Sequence, residues 1–412
     1  MAEGAVGRAS FREVFGVSEF RALWLAQMLS VAGDQLARVA LTVLVYDRTR
    51  SAALAALTFV MGVMPIFFGG AVLSGLGDRL PRRTVMIGCD LARAALVLVM
   101  TVPGVPLWIL VVLLFVVTAG NAPFNAARAA IYPEILAGDR YVVGTAVTIT
   151  TFQFAQVIGF AAGGAIVGFF GVRTSLVIDA ATFVASALLV RFGVAARPAA
   201  NRRPAEAESA GQSGRTGAAP ATGWRAGLRL VFGNPALRTP MLFGWLAALY
   251  NAPEGVAAPY ARSLGGGAVT TGLLLATPAL GYTFGALAFG RMVEPARRTR
   301  LIGPLATGCS VFLIPIVLRP PLPVTLVLFA LSGGCACFQV AANSAFVAAA
   351  PGAQRSQAFG LATAGMSLGQ GVAMIAAGAA AQHFAPAIVI AAAGTLGAAA
   401  ALGLSVTRPA RN

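Results

Sequence analysis

The chain has no lysine; all 30 of its basic residues are arginine. A Walker A loop needs a phosphate-reaching lysine and a Schiff-base mechanism needs a lysine amine. Both are excluded, so ATP is not expected to power the chain by itself. There is a single histidine, His383, in a short loop, which is too few for a zinc site or a Ser-His triad. The four cysteines, Cys89, Cys309, Cys335 and Cys337, all fall inside apolar runs, where cysteine acts as a small hydrophobe. Cys335-x-Cys337 lacks the spacing of a zinc or redox pair. No metal and no cofactor is expected. Charged residues make up only 11% of the chain, against roughly 25% in an ordinary soluble domain. The first twenty residues carry Glu3, Arg8, Arg12, Glu13 and Glu19 and do not read as a signal peptide.

What is abundant is apolar: 58% of 412 residues. A membrane-crossing helix needs about 20 apolar residues, and runs of that kind recur at 22–46, 52–76, 85–102, 106–128, 144–170, 174–192, 239–261, 268–290, 301–318, 322–348, 357–381 and 385–406. The expected fold is an all-α membrane protein of twelve transmembrane helices. The formal charge of +16 does not point to nucleic acid, because the arginines sit in short loops between these runs. With both termini placed inside, 23 arginines fall in cytoplasmic segments and five on the opposite face, Arg48, Arg50, Arg173, Arg262 and Arg319. That bias fixes the orientation.

One long gap, residues 193–236, separates six runs from six. Its part from Arg197 to Thr222 is rich in Ala, Gly, Pro, Ser and Arg and reads as a flexible linker. The part from Trp224 to Phe232 alternates basic and apolar residues and reads as a helix lying on the inner leaflet. The expected domains are a six-helix lobe at 1–192, this cytoplasmic linker, and a second six-helix lobe at 237–412. The lobes repeat. Arg21 matches Arg238, Gly120-x-x-x-Phe124 matches Gly334-x-x-x-Phe338, and the Arg82-Arg83 loop matches Arg297-Arg298, at offsets of 217, 214 and 215. A near-constant shift indicates parallel repeats, as in two-lobed secondary transporters.

Leu76-Gly77-Asp78-Arg79-Leu80-Pro81-Arg82-Arg83 lies between two apolar runs and cannot enter lipid. It resembles the loop between helices 2 and 3 of the major facilitator superfamily, Gly-x-Leu-Ala-Asp-Arg-x-Gly-Arg-Arg, departing from it at Ser74 and Pro81. Further pieces resemble the enterobactin-exporter and macrolide-efflux branch of that superfamily. They are Leu23-Trp24-Leu25-Ala26-Gln27 with Ser30, Gly33 and Asp34; Asp90-Leu91-Ala92-Arg93; Ala127-Arg128 with Tyr132-Pro133-Glu134; and Asn234-Pro235-x-Leu237-Arg238. In run 5, Gly159, Gly163 and Gly164 are similar to the superfamily's antiporter motif, with Ala where the motif has Pro. Small residues four apart also serve close helix packing. The resemblance implies that runs 1, 4, 7 and 10 line the transport cavity.

Ionisable residues inside the membrane are costly and so are the first functional candidates. Asp34 lies near the middle of run 1, and Arg38 shares its face at i, i+4. The pair reads either as mutual neutralisation or as a proton-sensitive carboxylate. Glu254 lies in run 7, with no basic residue close by along its own helix, next to a helix-breaking Pro253. Asp34 and Glu254 are the candidate proton-coupling residues. Candidate cavity residues are Arg38, Asn121, Asn125, Tyr250, Asn251, Gln339 and Asn343. Asp78, Arg79, Arg82, Arg83, Asp90, Arg93 and Arg128 form a candidate conformational latch, expected to favour the outward-open state. Asp179 in run 6 reads as structural.

The expected function is proton-coupled efflux of a small amphipathic or hydrophobic molecule, a drug, siderophore or natural product, by alternating access. Proton-coupled import and lipid or lysolipid flipping are the alternatives. A membrane-embedded transferase is disfavoured, because the intramembrane acids are scattered singly along the chain. The expected setting is a bacterial inner membrane, with substrate, protons and lipids as partners, no nucleic acid, and a monomer as the working unit.

Overall fold

The computed structural model describes residues 10–62, 80–197, 229, 231–351 and 355–406. All regular structure among these residues is helical. Seven helices among them are long and apolar enough to cross a membrane. Residues 76–79 of the arginine-rich octet and most of the expected surface helix lie outside the described residues.

The first half begins with α1 (Phe11–Gly16), α2 (Ser18–Thr49) and α3 (Ala52–Met61). A capping box between Ser10 and Glu13 starts α1, and the Ser51 hydroxyl caps α3. Then come α4 (Arg82–Met100), α5 (Leu107–Ala119), α6 (Asn121–Ile135) and α7 (Asp139–Gly193). Runs 5 and 6 form α7 together and are divided at Gly171, where φ is 82° and ψ 170°. Only glycine adopts that backbone without strain.

The second half contains α8 (Pro235–Trp245), α9 (Ala247–Tyr250), α10 (Ala252–Gly255), α11 (Ala257–Ser263) and α12 (Ala268–Met292). After them come α13 (Pro295–Arg298), α14 (Ile302–Val311), α15 (Leu322–Cys335), α16 (Phe338–Ala349), α17 (Arg355–Ala380) and α18 (Pro386–Val406). The expected run 7 is therefore four short helices rather than one. Pro240, Pro253 and Pro259 each lack the N–H that an uninterrupted helix requires. Around Pro253 the chain closes tighter turns instead, with Glu254 N–H donating to Asn251 O and Val256 N–H to Pro253 O.

Runs 4 and 10 share an architecture. Each is a pair of helices bent part-way, α5 to α6 at Gly120 and α15 to α16 at Ala336–Cys337. Together they occupy Leu107–Ile135 and Leu322–Ala349. The buried Phe124 and Phe338 follow the two bends.

The chain divides into two compact units, one of residues 1–38 and 65–211, the other of residues 39–64 and 212–412. The division falls inside α2. In the first unit α4 packs on α6 and α7, around a core that includes Phe20, Leu23, Met86, Phe124, Ile131 and Val190. Gly159 and Gly163 let α7 approach α2 backbone to backbone: an added Cβ would lie 2.8 Å from Ala32 O and 2.9 Å from Leu36 Cα. Gly164 is buried beside them. In the second unit α12 lies against α15, with Gly281 facing Ala330 O and Gly333 facing Pro278 O. Its core includes Phe243, Tyr260, Leu274, Ile302, Phe338 and Ile390. Lipid tails are as apolar as leucine, so such contacts hold helices together through close packing rather than by excluding water. Exposed side chains on the helices include Trp108, Val112, Ile149, Phe284 and Leu396, an exterior suited to hydrocarbon.

Candidate functional site

The first unit contains a polar cluster deep among its helices. Asp90 and Arg93 lie one turn apart on one face of α4, and Asp34 lies midway along α2. Arg93 is 1% exposed. A buried charge must be paired and hydrogen-bonded to be tolerated, and the guanidinium fork meets that requirement on several sides. Its Nη2 donates to Asp34 Oδ1 at 2.5 Å, Nη1 to Ser30 Oγ at 3.1 Å, and Nε to Val117 O at 3.1 Å. Asp90 Oδ1 is 3.6 Å from Nη1. The guanidinium carbon lies 4.0 Å from the centre of the Phe183 ring, a cation–π contact. Gly120, at the bend of run 4, leaves room for this side chain, since a Cβ there would lie 3.1 Å from Arg93 Cδ.

The acids are held from the other side as well. Asn121 Nδ2 donates to Asp34 Oδ2 at 3.2 Å, and Ser186 Oγ donates to Asp90 Oδ2 at 2.5 Å. Asp179 on α7 is fully buried, with one carboxylate oxygen against the Cα of Gly33. Neither of its carboxylate oxygens has a hydrogen-bond partner among the described residues. Two carboxylates, Asp34 and Asp90, thus face one guanidinium, and a third, Asp179, lies against the residue before Asp34.

The structure joins Asp34, Arg93 and Asn121, residues sequence reasoning singled out separately. Asp34 gives its oxygens to Arg93 and Asn121, whereas i, i+4 spacing pairs it with Arg38. Phe183 and Ser186 were missed and Ser30 was marked only by the family resemblance, because their roles depend on which helices meet. Asp179 was noticed only as a structural residue; its signal was an acid inside an apolar run.

The candidate latch residues separate into two sets. Asp90 and Arg93 belong to the buried cluster. Arg82 sits at the start of α4, donating to Ala130 O and pairing with Glu134 at 2.6 Å. Arg197 links Glu134 to Glu19, at 3.5 and 2.7 Å. Arg83 donates to Arg191 O. Eleven residues of helix span roughly 16 Å, so Arg82 and Arg93 cannot share one contact set. Arg128 stacks 5.7 Å from the Tyr132 ring. Asp78 and Arg79 lie outside the described residues.

In the second unit Gln339 donates to the Tyr250 hydroxyl, and Tyr250 meets Phe338 edge to face at 6.3 Å. Asn251 is the junction between α9 and α10, Glu254 is part-buried on α10, and Asn343 is exposed on α16. Asn125 is part-buried on α6. Asp34 and Glu254 lie in different units.

Twelve apolar runs, paired bends in runs 4 and 10, and a charge cluster on run 1 are joined by a direct match. The profile described as Major Facilitator Superfamily matches residues 23–257 and 255–412. The chain belongs to the major facilitator superfamily. Membership of this superfamily makes it a multi-pass membrane protein of a transporter family. It is 29% identical to the multidrug efflux pump Tap of Mycobacterium tuberculosis over 331 residues, 75% of this chain and 74% of that one. It is 27% identical to macrolide efflux protein A of Streptococcus pyogenes over 122 residues, 29% of this chain and 30% of that protein. Among solved structures it superposes on the nucleoside transporter NupG with a TM-score of 0.70 at 15% identity, covering 94% of this chain and 98% of that one. It also superposes on a bacterial homologue of the human lysosomal transporter Spinster, inward-facing and occupied, with a TM-score of 0.67 at 15% identity, covering 97% and 95%. At these identities the superpositions show a shared fold.

Proposed function

We propose that this chain exports a small amphipathic or hydrophobic molecule from a bacterial cell in exchange for protons, by alternating access. The observation that carries the reading is the ion pair between part-buried Asp34, in the middle of run 1, and fully buried Arg93 of α4. An intramembrane carboxylate held by a single cation is bistable: protonation removes its charge, weakens the pair and frees the helices it joins. The similarity to Tap and to macrolide efflux protein A supports export and an amphipathic or hydrophobic cargo.

The proposed lobes are residues 1–192 and 237–412, with residues 193–236 linking them and both termini in the cytoplasm. Contacts within the second compact unit suit an outer closure. Asp47 at the end of α2 accepts two hydrogen bonds from Arg262 of α11, at 2.5 and 3.0 Å. Gln382 donates to Ser51 at 2.6 Å, and Gly378 of α17 sits against α3, where a Cβ would lie 2.9 Å from Ala52 O. An outward-open state has to break these contacts. At the cytoplasmic end, the network of Arg82, Glu134, Arg197 and Glu19 would hold the inner ends of α2, α4, α6 and α7 together. Glu254, Tyr250 and Gln339 would supply the second half of the cavity, and Glu254 the second titratable carboxylate.

The test is efflux from inverted membrane vesicles energised by a proton gradient, using a radiolabelled macrolide. Asp34→Asn and Glu254→Gln are expected to lose gradient-driven accumulation while reaching the membrane in normal amounts. Normal transport by both variants would overturn the coupling assignment.

A further inference from the structure

We propose that the cluster of Asp34, Asp90, Asp179 and Arg93 is a proton-binding site, and that Asp179, seated behind Gly33, is the residue that holds the proton. The inference rests on the proton-coupled reading above and adds to it a carboxyl that no motif marks.

The first argument is charge. Fully ionised, the cluster would carry three negative charges against one positive charge, all within helices. The groups facing it are Ser30 and Asp34 from α2, Asp90 and Arg93 from α4, Asn121 from α6, and Asp179, Thr182, Phe183 and Ser186 from α7. Arg93 is the one cation among these groups. The fully ionised sum is −2, and each buried anion without a cation of its own is costly; one proton lowers the excess to −1, so at least one of the carboxyls is expected to keep a proton at neutral pH.

The second argument is donor geometry, and it selects the residue. Asp34 has two donors, Arg93 and Asn121. Asp90 has one donor, Ser186 on Oδ2, and an ionic contact of 3.6 Å from Arg93 Nη1 to Oδ1, whereas Asp179 has neither. Arg93 directs its remaining bonds to Ser30 and Val117. Asp179 receives none of them, and both its oxygens are buried without a partner among the described residues. Thr182, whose hydroxyl crowds the same point at Gly33 as the Asp179 carboxyl, gives its one hydrogen to the backbone oxygen of Asp179 at 2.7 Å, which leaves the hydroxyl oxygen to accept from a protonated carboxyl. A neutral carboxylic acid tolerates such surroundings and an unsolvated carboxylate does not.

The third argument is access. The Asp179 carboxyl lies against the Cα of Gly33, the residue before Asp34, and only the missing side chain at Gly33 allows that approach. A stored proton therefore lies beside the carboxylate whose ion pair it controls. When Asp34 leaves Arg93 it can take the proton, Asp179 becoming the carboxylate and the summed charge of the cluster staying the same.

The test is infrared difference spectroscopy of the purified full-length protein in nanodiscs at neutral pH, with neither substrate nor gradient. Wild type minus Asp179→Asn should show the loss of one carboxylic-acid carbonyl band. Asp179→Glu, which keeps the acid, should shift that band rather than delete it, and this variant guards against an amide that fails to fold. Survival of the band in Asp179→Asn, or its disappearance from wild type on adding sodium, would overturn the proposal. Because no transport is measured, failure of the export reading would leave the band in place, and absence of the band would leave the export assay unaffected.

Discussion

Arg93 is the residue whose removal should cost most. Arg93→Met keeps much of the side chain's length but deletes the cation. The lost contacts are the 2.5 Å pair with Asp34, the 3.6 Å approach to Asp90, two hydrogen bonds at 3.1 Å, and the stacking on Phe183. Removing one partner of a buried ion pair costs about 3–5 kcal/mol, mainly because the other partner is left charged and dry. The cation–π contact contributes up to about 2 kcal/mol, overlapping with that figure rather than adding to it. Without the guanidinium the carboxyls are tolerated only when protonated, so the folded variant binds more protons than the unfolded chain. Its stability therefore falls as pH rises. The assay is unfolding of detergent-purified protein by sodium dodecyl sulfate, at pH 5 and pH 8. The variant should be destabilised by about 3–5 kcal/mol at pH 8 and by less at pH 5. Asp34→Asn combined with Arg93→Met should recover part of the loss, because the amide leaves no charge stranded. A single variant within about 1 kcal/mol of wild type at pH 8, or a double variant weaker than the single, would refute the reasoning.

Three further outcomes follow from close contacts. Gly33→Ala places a methyl group against Asp179 and Thr182; it should cost about 1–3 kcal/mol and reduce transport together with stability, measured by thermal unfolding and vesicle efflux. Gly333→Val drives a branched side chain into the Pro278 carbonyl and should separate α12 from α15, seen as loss of the monodisperse peak in size-exclusion chromatography. Asp47→Asn weakens a partly exposed pair with Arg262 that is worth only about 0–1 kcal/mol; stability should barely move, while accessibility of outer-facing cysteine labels should rise.

Class was legible because it is written in quantities that do not need a fold. Apolar runs, arginine asymmetry and the Leu76–Arg83 octet each follow from what lipid excludes. The breaks in run 7 were legible in part, since Pro253 announces itself. Asp34 stood out as an acid in an apolar stretch, but its partner did not. Spacing along one helix points to Arg38, and the partner the structure supplies comes from a helix 59 residues further on. The separation of Arg82 from Arg93 could have been read from helix rise alone, had the residues been placed on one axis. Asp179 reads as structural from the sequence because run 6 is not among the four runs that the resemblance assigns to the cavity. What brings it to Asp34 is the absent side chain of Gly33, which becomes informative only once α2 and α7 are known to touch.

On this account the protein exchanges its cargo for protons through Asp34 on run 1 and Glu254 on run 7. The most direct measurement is a paired flux in proteoliposomes: release of a radiolabelled macrolide from the lumen under imposed pH gradients of either sign, with an entrapped pH dye reporting proton movement. Wild type should move cargo and protons in opposite directions, reversing when the gradient is reversed, and Asp34→Asn should uncouple the two. Cargo flux that ignores the sign of the gradient, or that runs in the same direction as the protons, would contradict the account.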